Sequence, residues 1–217
     1  MKGPRRDRRR ATSDGSASST RLLVTAGALL FAAGIIAIMG IITAEALYPP
    51  GYSTSQNQIS DLGATEPPDS VITQPSATIF NTAMIVCGVL ALVASFCLQR
   101  GFRRWAAPAL TALFGLGVLG VGISPGDHGN VHALFALLTF IAGGLAAIVA
   151  WTVERPPFRY FSAVLGLVAL VTLVLYWILG DSSPMAGLGI GGVERWVAYP
   201  IIFWITGFGG HLMARAS

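Results

Sequence analysis

The chain has 217 residues, 53% hydrophobic and 11% charged, with a formal net charge of +4 and a mean hydropathy of +0.66. That composition excludes both a water-soluble globular core and a disordered chain, and it fits a polytopic membrane protein. The pI of about 9.5 reflects topology rather than nucleic-acid binding, because the basic residues lie between apolar runs.

Residues 1–20 are rich in Arg, Ser, Gly and Thr and nearly free of large apolar side chains, which predicts a disordered basic tail. Six apolar runs follow, at about 22–47, 79–98, 105–123, 131–153, 161–179 and 196–213. A run of about 20 residues crosses a ~30 Å hydrocarbon layer. The expected fold is all-α: one domain over residues 21–217, a six-helix transmembrane bundle with one ordered outer loop. Run one exceeds the ~7–15-residue apolar core of a secretory signal and lacks an early small-residue cleavage site, so it reads as an uncleaved anchor.

Charge sets the expected orientation. Lys2, Arg5, Arg6, Arg8, Arg9, Arg10 and Arg21 precede run one, and Arg100, Arg103 and Arg104 separate runs two and three. Arg155 and Arg159 separate runs four and five, and Arg215 follows run six. Thirteen of the 14 Lys and Arg residues thus share one side, which should be cytoplasmic with both termini in a multi-pass cell-membrane protein. Arg195 alone lies opposite, among Asp61, Glu66, Asp69, Asp127, Asp181 and Glu194. Glu45 sits at the same outer boundary as Arg195, placed to pair with it.

The loop from Tyr48 to Asp69 is the long polar segment of the chain. Pro49, Pro50, Pro67 and Pro68 stiffen its ends, Gly51 and Gly63 permit tight turns, and Ile59 and Leu62 bracket Ser60 and Asp61. Two readings stand side by side. A short helical or re-entrant segment from Asn57 to Leu62 would present Asp61 to the bundle mouth; alternatively, Ser60 and Asp61 make an Asx-type turn on the surface. Tyr48 and Tyr52 fit both as interfacial anchors.

Run two contains both cysteines, Cys87 and Cys97, spaced about 15 Å along a helix. Bridged Cα atoms lie within about 7 Å, so these are packing residues. Gly115, Gly117, Gly120 and Gly122 in run three allow approach from two faces, and Gly143, Gly144 and Ala147 do the same for run four. Runs three and four should form a tight antiparallel hairpin. The chain shows no internal repeat, which counts against a transporter built from inverted halves.

Ionisable groups near membrane depth are candidates for function. The outer-face set is Ser60, Asp61, Gly63, Asn57, Glu45, Asp127, His128 and His132. His128 and His132 are spaced i, i+4 and could chelate a metal on one helical face. The plainer alternative has Asp127 or Asn130 capping the helix and both imidazoles wet at the interface. His211 lies about 22 Å deeper than Trp196 along run six, so the three histidines do not converge. No metal or cofactor is assigned.

The segment Pro50-Gly51-Tyr52, then Ile59-Ser60-Asp61-Leu62-Gly63, Phe80-Asn81 opening run two and His132-Ala133 opening run four resemble a bacterial and archaeal six-span family known as domain of unknown function 998. Ile59 to Gly63 with Pro67-Pro68-Asp69 is also similar to the first outer loop of the Frag, DRAM and Sfk membrane proteins. That second likeness implies lipid handling, with Ser60, Asp61 and Gly63 as loop residues. It establishes no catalytic residue.

The expected function is non-enzymatic: binding a membrane lipid or a protein partner through the outer loop, with no nucleic acid involved. An intramembrane lipid hydrolase or metal-dependent enzyme using Asp61, Asp127, His128 and His132 is the first alternative, and a small-solute transporter the second. The lipid reading requires an apolar groove opening between spans beside the loop.

Overall fold

The computed structural model describes residues 4–102 and 104–214, with side chains from residue 17 onward. Lys2, Arg103 and Arg215 lie outside the described residues, and the side chains of Arg5 to Arg10 do as well. Six long helices run in order: α1 (Pro4–Ala46), α2 (Ser76–Phe102), α3 (Ala106–Ile123), α4 (Asn130–Ala150), α5 (Phe158–Leu179) and α6 (Gly189–Met213). Single 3-10 turns at Ser60–Leu62, Gly126–His128, Gly180–Ser182 and Ala186–Leu188 occupy the outer connections, and the described residues contain no strand. Helix α1 begins at Pro4 and so takes in residues 4–20 of the segment expected to be disordered, with side chains described from Ala17 onward.

Five helical segments, Ala17–Ala46, Ser76–Phe102, Ala106–Ile123, Asn130–Ala150 and Phe158–Ser182, are long and apolar enough to cross a membrane. The protein is therefore a helical membrane protein. Helix α6 falls outside that set, because Glu194, Arg195, Pro200 and His211 dilute its apolar residues.

Each helix packs on its neighbours in sequence, and α6 returns to α1, so the bundle closes as a ring. Helix α5 packs chiefly against α4 and α6 among the long helices. It leans inward through small residues, Ser162, Gly166, Ala169 and Thr172, while Phe161, Val164, Leu167, Val171 and Val174 face outward. Close backbone approach replaces hydrophobic sorting as the packing force in lipid. On α3, Gly115 and Gly122 meet α2, and Gly117 and Gly120 meet Phe135 and Thr139 of α4. A Cβ on Gly122 would stand 2.7 Å from the Asn81 carbonyl oxygen, and one on Gly117 2.7 Å from the Thr139 nitrogen. The core joins Leu30, Ile41, Leu98, Phe114, Trp204 and Phe208, all at most 3% exposed. Cys87 and Cys97 are free and buried. His211 stacks on Phe158 with ring centroids 5.0 Å apart, at the opposite end of the bundle from His128 and His132.

Candidate functional site

The outer loop folds down onto the bundle, and Arg195 is the post that holds it. Nη1 donates to the carbonyls of Thr54 at 2.9 Å, Asn57 at 3.0 Å and Gly191 at 2.9 Å. Nη2 donates to Glu45 Oε1 at 2.5 Å and to the Tyr52 hydroxyl at 2.7 Å. The four Nη hydrogens thus serve five acceptors, the two on Nη1 shared among three carbonyls, while the buried Nε has no hydrogen-bond partner among the described residues. Tyr52 passes its own proton to the Gln58 carbonyl at 3.0 Å and packs against Tyr48 with centroids 5.0 Å apart. Burial raises the Tyr52 phenol above its ordinary range, against the pull of the neighbouring Arg195 charge.

Glycines make room for this seating. A Cβ on Gly191 would fall 2.0 Å from the Asn57 carbonyl oxygen, and one on Gly126 2.1 Å from that of Ala64. Within the loop, Ile59 is 5% exposed and Leu62 fully buried, so the apolar pair is the plug that enters the bundle. Ser76 Oγ, at the start of α2, donates to the Leu62 carbonyl at 3.0 Å. Gly63 packs on Phe80 and Asn81, where a Cβ would stand 2.4 Å from Asn81 Oδ1.

Asp61 serves the turn. Its Oδ2 accepts the Gln58 N–H at 2.9 Å and the Asn57 side-chain amide at 3.4 Å. Asn57 Oδ1 in turn accepts the Ser53 N–H at 2.9 Å. A 3-10 turn forms over Ser60–Leu62, and Asp61 reaches back three residues to the Gln58 N–H rather than forward as in an Asx turn. The acid tied to the bundle is Glu194, whose Oε2 accepts the Ile59 N–H at 2.5 Å. Glu194 stands on the outer turn of α6, ahead of Trp196. Burial pushes its carboxyl up to about 7, while the Ile59 amide and the Arg195 charge pull it down.

Two of the voids beneath the loop meet at Ser60 and Glu194. A chamber of about 70 Å³ runs down the centre of the bundle between α1, α2, α3, α4 and α6, with Ile41, Met84, Cys87, Phe114 and Ile201 among its walls. A lateral groove of about 390 Å³ opens on the outer half of α4, α5 and α6, flanked by Leu137, Leu173, Tyr176, Trp177 and Val197. Ser60, His132, Ala136, Phe140 and Glu194 line both. Pockets for small ligands run about 300–1,000 Å³. The groove is therefore of ligand size, and the chamber suits only a slender extension.

Of the sequence candidates, Ser60 and His132 line these voids. Glu45, Asn57, Asp61 and Gly63 hold the loop. Asp127 and His128 pair with each other at 3.0 Å, half-exposed on the outer turn. His132 is buried, its Nδ1 2.8 Å from the Ser124 carbonyl oxygen, so the two imidazoles do different work. No group of three His, Cys, Asp or Glu side chains is placed for a metal among the described residues. Glu194, which lines both voids, is the candidate that sequence reasoning left out of the outer-face set. Its signal was present, an acid beside the lone outer cation at the head of an apolar run.

The model of a family described as "Protein of unknown function (DUF998)" matches residues 31–211. The chain belongs to the DUF998 family. The match takes in α2 to α5 whole, α6 as far as His211 and α1 from Phe31 onward, so loop, groove and chamber are family territory. No curated protein and no solved structure matches this DUF998 chain.

Proposed function

We propose that this DUF998 protein is a six-span protein of the cell membrane with cytoplasmic termini, and that it binds a membrane lipid laterally beneath its outer loop. The observation that carries this reading is the groove between α4, α5 and α6, which opens toward lipid at the loop end and shares Ser60, His132, Ala136, Phe140 and Glu194 with the central chamber. An apolar cleft with a few convergent polar groups is the usual form of a ligand site. Entry from the side suits a ligand already dissolved in the bilayer. Helix α6 supports the sixth span: beyond Glu194 and Arg195, residues 196–213 at 1.5 Å each give about 27 Å, close to the ~30 Å core. It also closes the ring on α1. The clustering of basic residues on one side supports the orientation.

Native mass spectrometry of the protein extracted in mild detergent tests the binding. Wild type should retain lipid at about one per chain. Ala136→Trp, which fills the wall shared by groove and chamber, should lose it while unfolding at the same temperature as wild type. Equal retention by both proteins overturns the reading.

A further inference from the structure

We propose that groove and chamber accept an amphiphile whose polar end is a primary ammonium and whose tail is a single slender apolar chain. This deepens the lipid-binding reading and rests on it. The polar groups on the shared wall are acceptors. His132 is only 4% exposed and lines both voids. Its Nδ1 meets the Ser124 carbonyl oxygen, and a carbonyl can only accept, so Nδ1 carries the proton and Nε2 a lone pair. Among the described residues Nε2 has no partner.

The neighbours repeat the pattern. Ser60 Oγ donates its one proton to Gln58 Oε1 at 3.2 Å, and Thr139 Oγ1 donates to the Phe135 carbonyl at 2.8 Å. Both hydroxyl oxygens are left to accept. Glu194 accepts the Ile59 amide through Oε2 and is also within reach of the Ser60 amide, so it faces the voids as a carboxyl that only accepts. Glu66 adds a second carboxyl on the groove, and Tyr176 and Trp177 add ring faces that attract cations.

Neither void has a Lys or Arg in its lining, and the adjacent Arg195 is committed to Glu45, Tyr52 and three carbonyls. A phosphate or carboxylate head would therefore face the Glu194 and Glu66 carboxyls with no Lys or Arg to offset them, against the neutral donors of Gln58, Tyr176 and Trp177. An alcohol offers one donor. A primary ammonium offers three donors and, where the Glu194 carboxyl is ionised, the charge that complements it. The small chamber then limits the tail to one chain.

Competition at equal concentration of dodecylamine, dodecan-1-ol and dodecyl phosphate for the purified full chain, read by native mass spectrometry, tests the head group at fixed tail. The amine adduct should exceed each of the others by about tenfold, a difference of about 1.4 kcal/mol. Glu194→Gln keeps an acceptor for Ile59 but removes the charge, and should abolish most of that preference. Where that variant does not fold, Glu66→Gln, at an exposed position, should lower the preference in the same direction. A dominant alcohol or phosphate adduct overturns the ammonium assignment and leaves lipid binding standing. No adduct, or adducts unchanged in Ala136→Trp, overturns both.

Discussion

Arg195 of α6 and Glu45 of α1 lie 150 positions apart in sequence and meet at 2.5 Å. The contact joins the start of the last helix to the end of the first, and it fastens the loop that follows Glu45. Removing one partner of a buried pair strands the other and typically costs about 3–5 kcal/mol. Arg195→Ala should therefore lower the thermal unfolding temperature in detergent sharply. Arg195→Lys should recover little, because a single ammonium cannot reach five acceptors in the arrangement of a fork. Unchanged unfolding of the alanine variant would show that the pair does not hold the bundle.

Gly191 receives the loop backbone, and any side chain there would drive into the Asn57 carbonyl. Gly191→Ala should lift residues 53–58 and open the loop to protease at a rate several-fold above wild type. Gly187, whose Cβ position is open, is the control. Limited proteolysis followed by peptide mapping checks both.

Asp61→Asn separates a working acid from a turn residue. The asparagine side chain keeps one acceptor oxygen for the Gln58 N–H, so the loss should be about 1 kcal/mol or less. Lipid retention should not change. Retention lost from an otherwise stable Asp61→Asn would return Asp61 to the site.

The Glu194 carboxyl gives stability a pH dependence with a definite sign. Its folded value, about 7, stands above the ordinary 4.5, so between those values the folded protein holds a proton that the unfolded chain has released. This contribution is complete below about pH 4.5 and is lost as pH rises through 7. The unfolding temperature should fall between about pH 5 and 8, and Glu194→Gln should flatten that part of the curve. A profile rising over this window in wild type contradicts the burial of the acid.

Orientation is open to labelling, since the native Cys87 and Cys97 are buried. On intact cells, an impermeant maleimide should label Asp69→Cys, an exposed position in the outer loop. Thr152→Cys, exposed between α4 and α5, should react only after permeabilisation. The reverse pattern would invert the topology.

Hydropathy alone located the helices, because the length of an apolar run is a local property fixed by bilayer thickness. It likewise marked Ile59 and Leu62 as an apolar pair in the loop and put Glu45 and Arg195 at the same outer boundary, without showing that they meet. The glycines of α3 were readable as contact points, since small residues in lipid leave few other uses. Sequence could not choose which acid faces the interior. Asp61 and Glu194 are both outer-face carboxyls, and only the descent of the loop onto α6 assigns one to a turn and the other to the chamber wall. His128 and His132 share a helical spacing, yet a 3-10 turn ends at His128 before α4 begins, so one imidazole stays in solvent and the other enters the bundle. What the chain determined by itself was its segments and the charges at their ends. Which of those charges meet was decided by the closed ring of six helices, because that ring brings together residues up to 150 positions apart, whose pairing no local pattern encodes.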